Sequence, residues 1–205
     1  MKDLIALVAD KNMQFSLHGG LSRPESLGIR SITFDFRQHP NRDGGARTTG
    51  VQMLALEKAR FDHALLVLDY EGSGTTARDA QQLESELNEE LAGTWGGRGK
   101  AVVIEPELET WMWGSDNSMA VLLGWTNHDS IRNWLQAQGH ALNAEGKPER
   151  PKEALEAVLR HCKRPRSSVL YQQIASKISL RLCKDASFQR LAERLRTWFP
   201  PGNAP

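Results

Sequence analysis

Four stretches of the chain carry short apolar runs bounded by polar or turn-forming residues: 4–9 (LIALVA), 29–36 (IRSITFDF), 63–69 (HALLVLD) and 101–104 (AVVI). A run of this length between turn signals predicts a strand buried on both faces, the kind found inside parallel sheets. Side chains alternate along a strand, so Leu66 and Leu68 are expected on one face and Leu65 and Val67 on the other, all covered by helices. Between the strands lie stretches with helical spacing. In the clearest, Ala77, Ala80, Leu83, Leu87 and Leu91 recur every three or four residues, with Thr75 or Thr76 as the cap and Gly93 as the end. Strands alternating with helices predict an α/β fold with a mainly parallel central sheet flanked by helices.

Beyond about residue 107 the strand pattern gives way to short helices. Asp129 or Ser130 can cap one that stops at Gly139, and Pro151 occupies a first-turn position in another, with Leu155, Val158, Leu159 and Cys162 on one face. Phe188, Leu191, Leu195 and Trp198 align in the same way, and all these stripes read as core. The polar stretch 139–151, with two glycines and two prolines, is the best linker candidate. The expected organisation is an α/β domain over residues 1–144 and a basic helical extension over 145–205 packed on it. The tail, 200–205, is expected to fray.

Composition changes this picture little: 205 residues, 40% hydrophobic and 25% charged, suit one folded domain with a substantial core. Charge adds more. Residues 1–144 hold 13 Lys and Arg against 19 Asp and Glu, whereas 145–205 hold 13 against 6. An acid-lined metal site beside a phosphate-attracting surface produces this split, as solvated helix faces also do. Cys162 and Cys183 provide no zinc quartet, and both read as buried small apolar residues. The opening apolar stretch ends at Asp10, too short for a signal-peptide core or a membrane span, so a reducing cytoplasm is the expected location and no membrane partner is expected.

The candidate chemistry lies where the strands end. Asp69 and Glu71 project to the same side if strand geometry persists through Tyr70, and oxygen ligands of this kind suit Mg²⁺ or Mn²⁺. A pair of solvated acids at a strand end is the plainer alternative. The EGSGTT loop after them lacks the lysine of a phosphate-binding P-loop, and its glycines are explained by a tight strand-to-helix turn. Glu105, Glu107 and Glu109 follow the fourth strand and would emerge on the same edge of a parallel sheet, unless Pro106 starts a helix whose first turn favours acids. Asp10 ends the first strand and Asp35 lies near the end of the second, so each strand is expected to deliver an acid to one edge. Lys11 can contact a phosphate or face water. No Ser-His-Asp order is present, and the six histidines show no ligand spacing.

With these residues in view, the sequence resembles a Toprim domain, the topoisomerase and primase metal-binding fold. In that family an acid follows the first strand and a D-x-D motif follows a later one, places taken here by Asp10 and by Asp69 with Glu71. It is similar, more narrowly, to small Toprim-like proteins of bacterial defence islands, related to the nuclease domain of the overcoming-lysogenization-defect proteins, and to a subunit of a methylation-associated defence system. IEPELETW is similar to that family's E-x-E-x-W segment, KPERPKEALEAVL to its Pro-Lys helix start, and residues 167–180 and 187–195 continue the likeness. Two departures stand out. The opening reads ADKNMQ where the family has Glu-Gly and a further acid, and the last acid of D-x-D is Glu71.

The resemblance implies an antiviral-defence component with Mg²⁺-dependent (or Mn²⁺-dependent) nuclease activity on DNA or RNA, a hydrolase of phosphodiester bonds. Asp69 and Glu71 would hold a metal, Asp10 would be a ligand or general base, and Glu109 with Glu107 would assist a second ion. Lys11, Arg160, Lys163, Arg164 and Arg166 would hold the nucleic-acid backbone without reading its sequence. Other defence proteins are expected partners. The alternative is a non-catalytic subunit that docks onto such partners, supported by the altered opening and by the tryptophan-rich TWMWGS, of which Trp111 reads as core and Trp113 as more open. A nucleotide-handling enzyme of another kind is a third class.

Overall fold

The computed structural model describes residues 1–114, 116–178, 180 and 183–202. The tail expected to fray lies outside these from 203 on, as do Ser115 of the tryptophan-rich segment and Ser179 of the stretch 167–180.

Four parallel strands form one sheet in the order β2-β1-β3-β4: β1 (Lys2–Val8), β2 (Phe34–Gln38), β3 (Phe61–Asp69) and β4 (Gly99–Ile104). The apolar runs explain the centre. Leu4–Val8 of β1 and Ala64–Leu68 of β3 are fully buried and pair in register, Ala6 opposite Leu65 and Leu7 opposite Leu66. Both faces of β3 are therefore covered, as its unbroken apolar run requires.

β2 departs from expectation. It starts at Phe34, not near Ile29, because the chain before it is held otherwise. Ile29 bonds back to Pro24, and Asp3 accepts the Thr33 N–H and hydroxyl, both at 2.7 Å. Asp35 consequently pairs with Lys2 at 2.8 Å, beside the start of β1 and away from the carboxyl edge.

Helix α1 (Lys11–Leu21) and the short α2 (Pro24–Leu27) connect β1 to β2, α3 (Arg42–Ala55) connects β2 to β3, and α4 (Ala80–Trp95) connects β3 to β4. The chain moves one way from β1 to β2 and the other way from β2 through β3 to β4. Right-handed crossovers then put α1 on one face and α3 with α4 on the other. Glycines set the closeness of α3: a Cβ on Gly50 would lie 2.9 Å from Leu66, and one on Gly45 would lie 2.1 Å from the His39 ring. Gly45→Ala is expected to cost about 1–3 kcal/mol through this clash, read as a lower thermal midpoint; an unchanged midpoint would show that the first turn of α3 is free to shift.

Helix α4 starts later than its spacing predicts. Asp79, not Thr75 or Thr76, is the cap, its carboxylate accepting the Gln82 N–H at 2.8 Å, and the helix runs past Gly93 to Gly96, which has a φ of +58°. The threonines serve the turn instead, where Thr75 Oγ1 accepts the Ala77 N–H. One turn apart on α4, Glu84 and Asn88 reach the outer edge of β4 and accept the Val103 and Ala101 N–H groups at 2.8 and 2.9 Å. Arg190 clamps Glu84 at 2.7 Å and donates to the Val103 carbonyl.

The remainder is helical: α5 (Asp116–Leu123), α6 (Ile131–Ala137), α7 (Pro151–His161), α8 (Ser168–Lys177) and α9 (Ala186–Trp198). Pro151 opens α7 and Ser130 caps α6, as expected. Gly19 lets α1 approach α8, since a Cβ there would meet the Gln172 carbonyl at 2.7 Å. The stretch 139–151 is an ordered turn closed by a Leu142–Pro148 bridge, and its Lys147 is buried and ion-paired with Asp185 at 3.3 Å. Trp111 and Trp113 are both core, their indole N–H groups donating to Ser187 Oγ and to the Pro151 carbonyl. Both cysteines are free, Cys183 buried and Cys162 half-buried. Among the described residues no helix is long and apolar enough to cross a membrane.

Candidate active site

In an open parallel sheet, ligands bind beyond the carboxyl ends of the strands, where the strand order reverses. Here that point lies between β1 and β3, and an open cleft of about 670 Å³ occupies it. Eight carboxylates line the cleft against three cations, Arg42, Arg150 and Lys152.

Each acid arrives by its own route. Asp10 follows β1 and caps α1, its Oδ1 accepting the Met13 N–H at 2.8 Å. Asp69 ends β3, and Glu71 follows two residues on, its N–H bonded to the Pro106 carbonyl. Both line the cleft. Asp43, in the first turn of α3, accepts the backbone N–H of Asp69 at 2.8 Å and so ties the end of β3 to that helix. It is the acid that the segment after β2 contributes, in the place expected for Asp35. Its only sequence signal is its position in the glycine-rich NRDGG stretch after a strand.

Electrostatics single out Asp69. Its Oδ1 is sealed from solvent and has no hydrogen-bond partner. Burial, and then the charges of Asp43 and Glu109, push its carboxyl well above the ordinary Asp range. Burial also raises Asp43, with Asp10 adding to the effect and Lys152 opposing it.

Of the acids after β4, Glu107 and Glu109 are already occupied, while Glu105 is exposed and does not line the cleft. Glu107 accepts the Lys152 N–H at 3.0 Å and pairs with the Lys152 ammonium at 3.5 Å, at the start of α7; burial and the nearby Glu109 raise it. Glu109 is buried outside the cleft lining, held by the Arg166 guanidinium at 3.0 Å and by the Tyr171 hydroxyl. Arg166 also bonds Tyr171 and Glu156, at 2.8 and 2.9 Å, so all three sides of its guanidinium are engaged. Arg160, Lys163 and Arg164 are exposed at and beyond the end of α7, and Lys11 is exposed beside the cleft, 5.6 Å from the Phe15 ring. Sequence reasoning missed Lys152 as a cleft cation, although the Pro-Lys helix start contains it.

Among the described residues no three His, Cys, Asp or Glu side chains stand close enough to form a ready-made metal cage. The side-chain oxygen donors that line the cleft are the eight carboxylates and the Asn41 amide, with no cysteine or histidine among the lining residues. This hard-oxygen set fits Mg²⁺ or Mn²⁺ better than zinc.

No protein-family model matches the chain, and no curated protein matches it. Among solved structures it is similar to the C-terminal region of the Burkholderia pseudomallei OLD protein, at 14% identity over 96% of this chain and 98% of that one, with a TM-score of 0.48.

Proposed function

We propose that the protein is a divalent-cation-dependent phosphodiesterase acting on nucleic-acid backbones. The observation that carries this reading is the partnerless Oδ1 of Asp69 at the head of a cleft lined by eight carboxylates. A buried carboxylate oxygen without a partner is costly, and a bound cation would complete it. Asp69, Asp43, Glu71 and Asp10 would hold Mg²⁺, which usually takes one or two protein carboxylates together with water and substrate phosphates. When bound, the ion polarises a phosphoryl oxygen and offsets the negative charge that develops there. Lys152, held by Glu107, lines the same cleft and would orient the phosphate. Asp10 is placed to accept a proton. Without a cation, the excess of carboxylates repels a polyanion, so binding in the cleft is coupled to metal.

The resemblance in the sequence supports assigning this activity to bacterial antiviral defence, with other defence proteins as partners, and the two free cysteines fit a reducing cytoplasm. Calorimetric titration with Mg²⁺ and Mn²⁺, paired with a plasmid-nicking assay, tests the reading. Metal binding and metal-dependent cleavage are expected, and the absence of both would end it.

Backbone binding has a separate signature. Neutralising about four phosphates gives a log-log salt slope of roughly −3 to −4. Replacing Arg160, Lys163 and Arg164 together by Ala should flatten it, whereas Arg166, whose guanidinium is internally bonded, should contribute little. An unchanged slope would place the nucleic-acid surface elsewhere.

One observation favours the second reading, a docking subunit without catalysis: Glu107 and Glu109 are already compensated by Lys152, Arg166 and Tyr171. Trp111 and Trp113, being core, would not form its docking surface.

A further inference from the structure

At the far end of α7 from the cleft, three aromatic rings meet. The His161 ring lies 4.7 Å from both the Trp125 and the Trp134 centroids, and the two indoles stand edge to face at 5.4 Å. Trp125 is oriented by its N–H, which donates to the Asp129 carbonyl at 2.9 Å. Both indoles are half-buried, while His161 is exposed. The tryptophans thus brace an imidazole that faces solvent.

Three cations neighbour His161 along the chain. Arg160 and Lys163 are exposed and have no ion-pair partner among the described residues, and Arg164 beside them makes only a long contact, 3.5 Å, to the Leu122 carbonyl. Next to it, Val121 leaves 85% of its surface exposed on α5. A flat ring with an apolar neighbour among unpaired cations matches a polyanion with exposed ring faces. Duplex nucleic acid offers the charge but hides its bases, whereas a single strand offers both.

Helix α7 also links this surface to the cleft. Its first turn contributes Lys152 and Glu153 to the cleft lining. Arg160 stands seven residues, two helical turns, beyond Glu153 and therefore on the same face. The 11 residues of α7 span about 16 Å, the length of about five stacked nucleotides. We infer that Arg160, His161, Lys163 and Arg164 form a single-strand platform on which a base stacks over His161, leading the strand along α7 to the acidic cleft. This rests on the phosphodiesterase reading for what happens in the cleft, but not for the binding itself.

The test is fluorescence polarisation in metal chelator, with labelled oligothymidylate and oligouridylate of about 20 nucleotides, longer than the site size of a single binding fold, and a duplex of equal length. Both single strands should bind more tightly than the duplex, and a preference between them would identify DNA or RNA. His161→Ala should weaken single-strand binding roughly tenfold, the worth of one lost stacking contact. His161→Phe should restore it, and duplex binding should be unchanged in both variants. Equal affinity for single strand and duplex, no binding by either, or His161→Ala behaving as wild type would overturn the platform. Mg²⁺ binding in the calorimetric titration should be untouched by His161→Ala. Single-strand binding with neither Mg²⁺ binding nor Mg²⁺-dependent cleavage would leave the platform standing and remove the phosphodiesterase reading; Mg²⁺-dependent cleavage with equal affinities would do the reverse.

Discussion

Asp69→Asn is expected to abolish both the Mg²⁺-dependent rise in melting temperature and any Mg²⁺-dependent cleavage. Asn keeps the shape of the side chain but not the charge that would hold a cation. At about a hundredfold excess over the dissociation constant, ligation of the folded state is worth about 2.7 kcal/mol, which for a chain of this size raises the midpoint by roughly 5–10 °C. The variant should lose most of that gain. Without metal the effect reverses. Burial beside Asp43 and Glu109 raises the folded carboxyl well above 3.8, so the folded state holds a proton that the unfolded chain releases. Stability therefore falls as pH rises from the unfolded value through the folded one. Wild type in chelator should melt higher at mildly acidic than at neutral pH, and Asp69→Asn should flatten that dependence while remaining as stable as wild type at neutral pH. Scanning fluorimetry across pH, with and without Mg²⁺, reads all of this. A variant that keeps both the metal shift and the cleavage would reduce Asp69 to an ordinary strand-end acid. A wild type that shows neither would favour the docking subunit.

The second large effect concerns stability. Asp185 caps α9, accepting the Ser187 and Phe188 N–H groups at 3.0 and 3.3 Å, and it accepts bonds from the Ser187 and Thr110 hydroxyls and the Lys147 ammonium. Lys147 is almost wholly buried. Among the described residues, removing Asp185 leaves this cation only the exposed Glu145, at 3.3 Å, and strips the cap of α9, so Asp185→Ala should cost about 3 kcal/mol, the low end for breaking a buried pair, in urea denaturation. Asp185→Asn, which keeps most of the cap, should cost less. Replacing Lys147 by Met in that background should recover part of the loss, since the poorly compensated buried charge is then gone. Burial pushes the Asp185 carboxyl up, but the Ser187 bond and the Lys147 charge outweigh it and hold the group below 3.8. Its contribution is accordingly full above 3.8 and lost as pH falls through the folded value. A loss under about 1 kcal/mol for the Ala variant, the size of a cap alone, would mean that Glu145 by itself satisfies Lys147.

These two residues show what the sequence could reveal. Asp69 was legible because it ends an apolar run that only a central parallel strand explains, and Leu65, Leu66, Val67 and Leu68 are all fully buried as that pattern requires. The α7 and α9 stripes were legible for the same local reason. Asp185 was not, because its partners lie 38 and 75 residues away. Glu109 looked free in the sequence because Arg166 and Tyr171, 57 and 62 residues on, are brought to it only by tertiary packing. Helix α3 was hidden by its own glycines, which lower helix propensity yet let it press on Leu66. Asp43 was hidden with it. The register of β2 followed from Asp3 and Lys2, side chains on another strand, and no period within residues 29–36 records them.

The sheet ends differently on its two flanks. Along β4 the main-chain groups that would recruit a further strand are taken by Glu84, Asn88 and Arg190, so that flank is closed to edge-to-edge pairing and to the aggregation that an open edge invites. No helix-borne side chains of that kind bond the outer main chain of β2 among the described residues. A partner that joins by strand addition is therefore kept off the β4 side, where recognition has to be made by side chains alone.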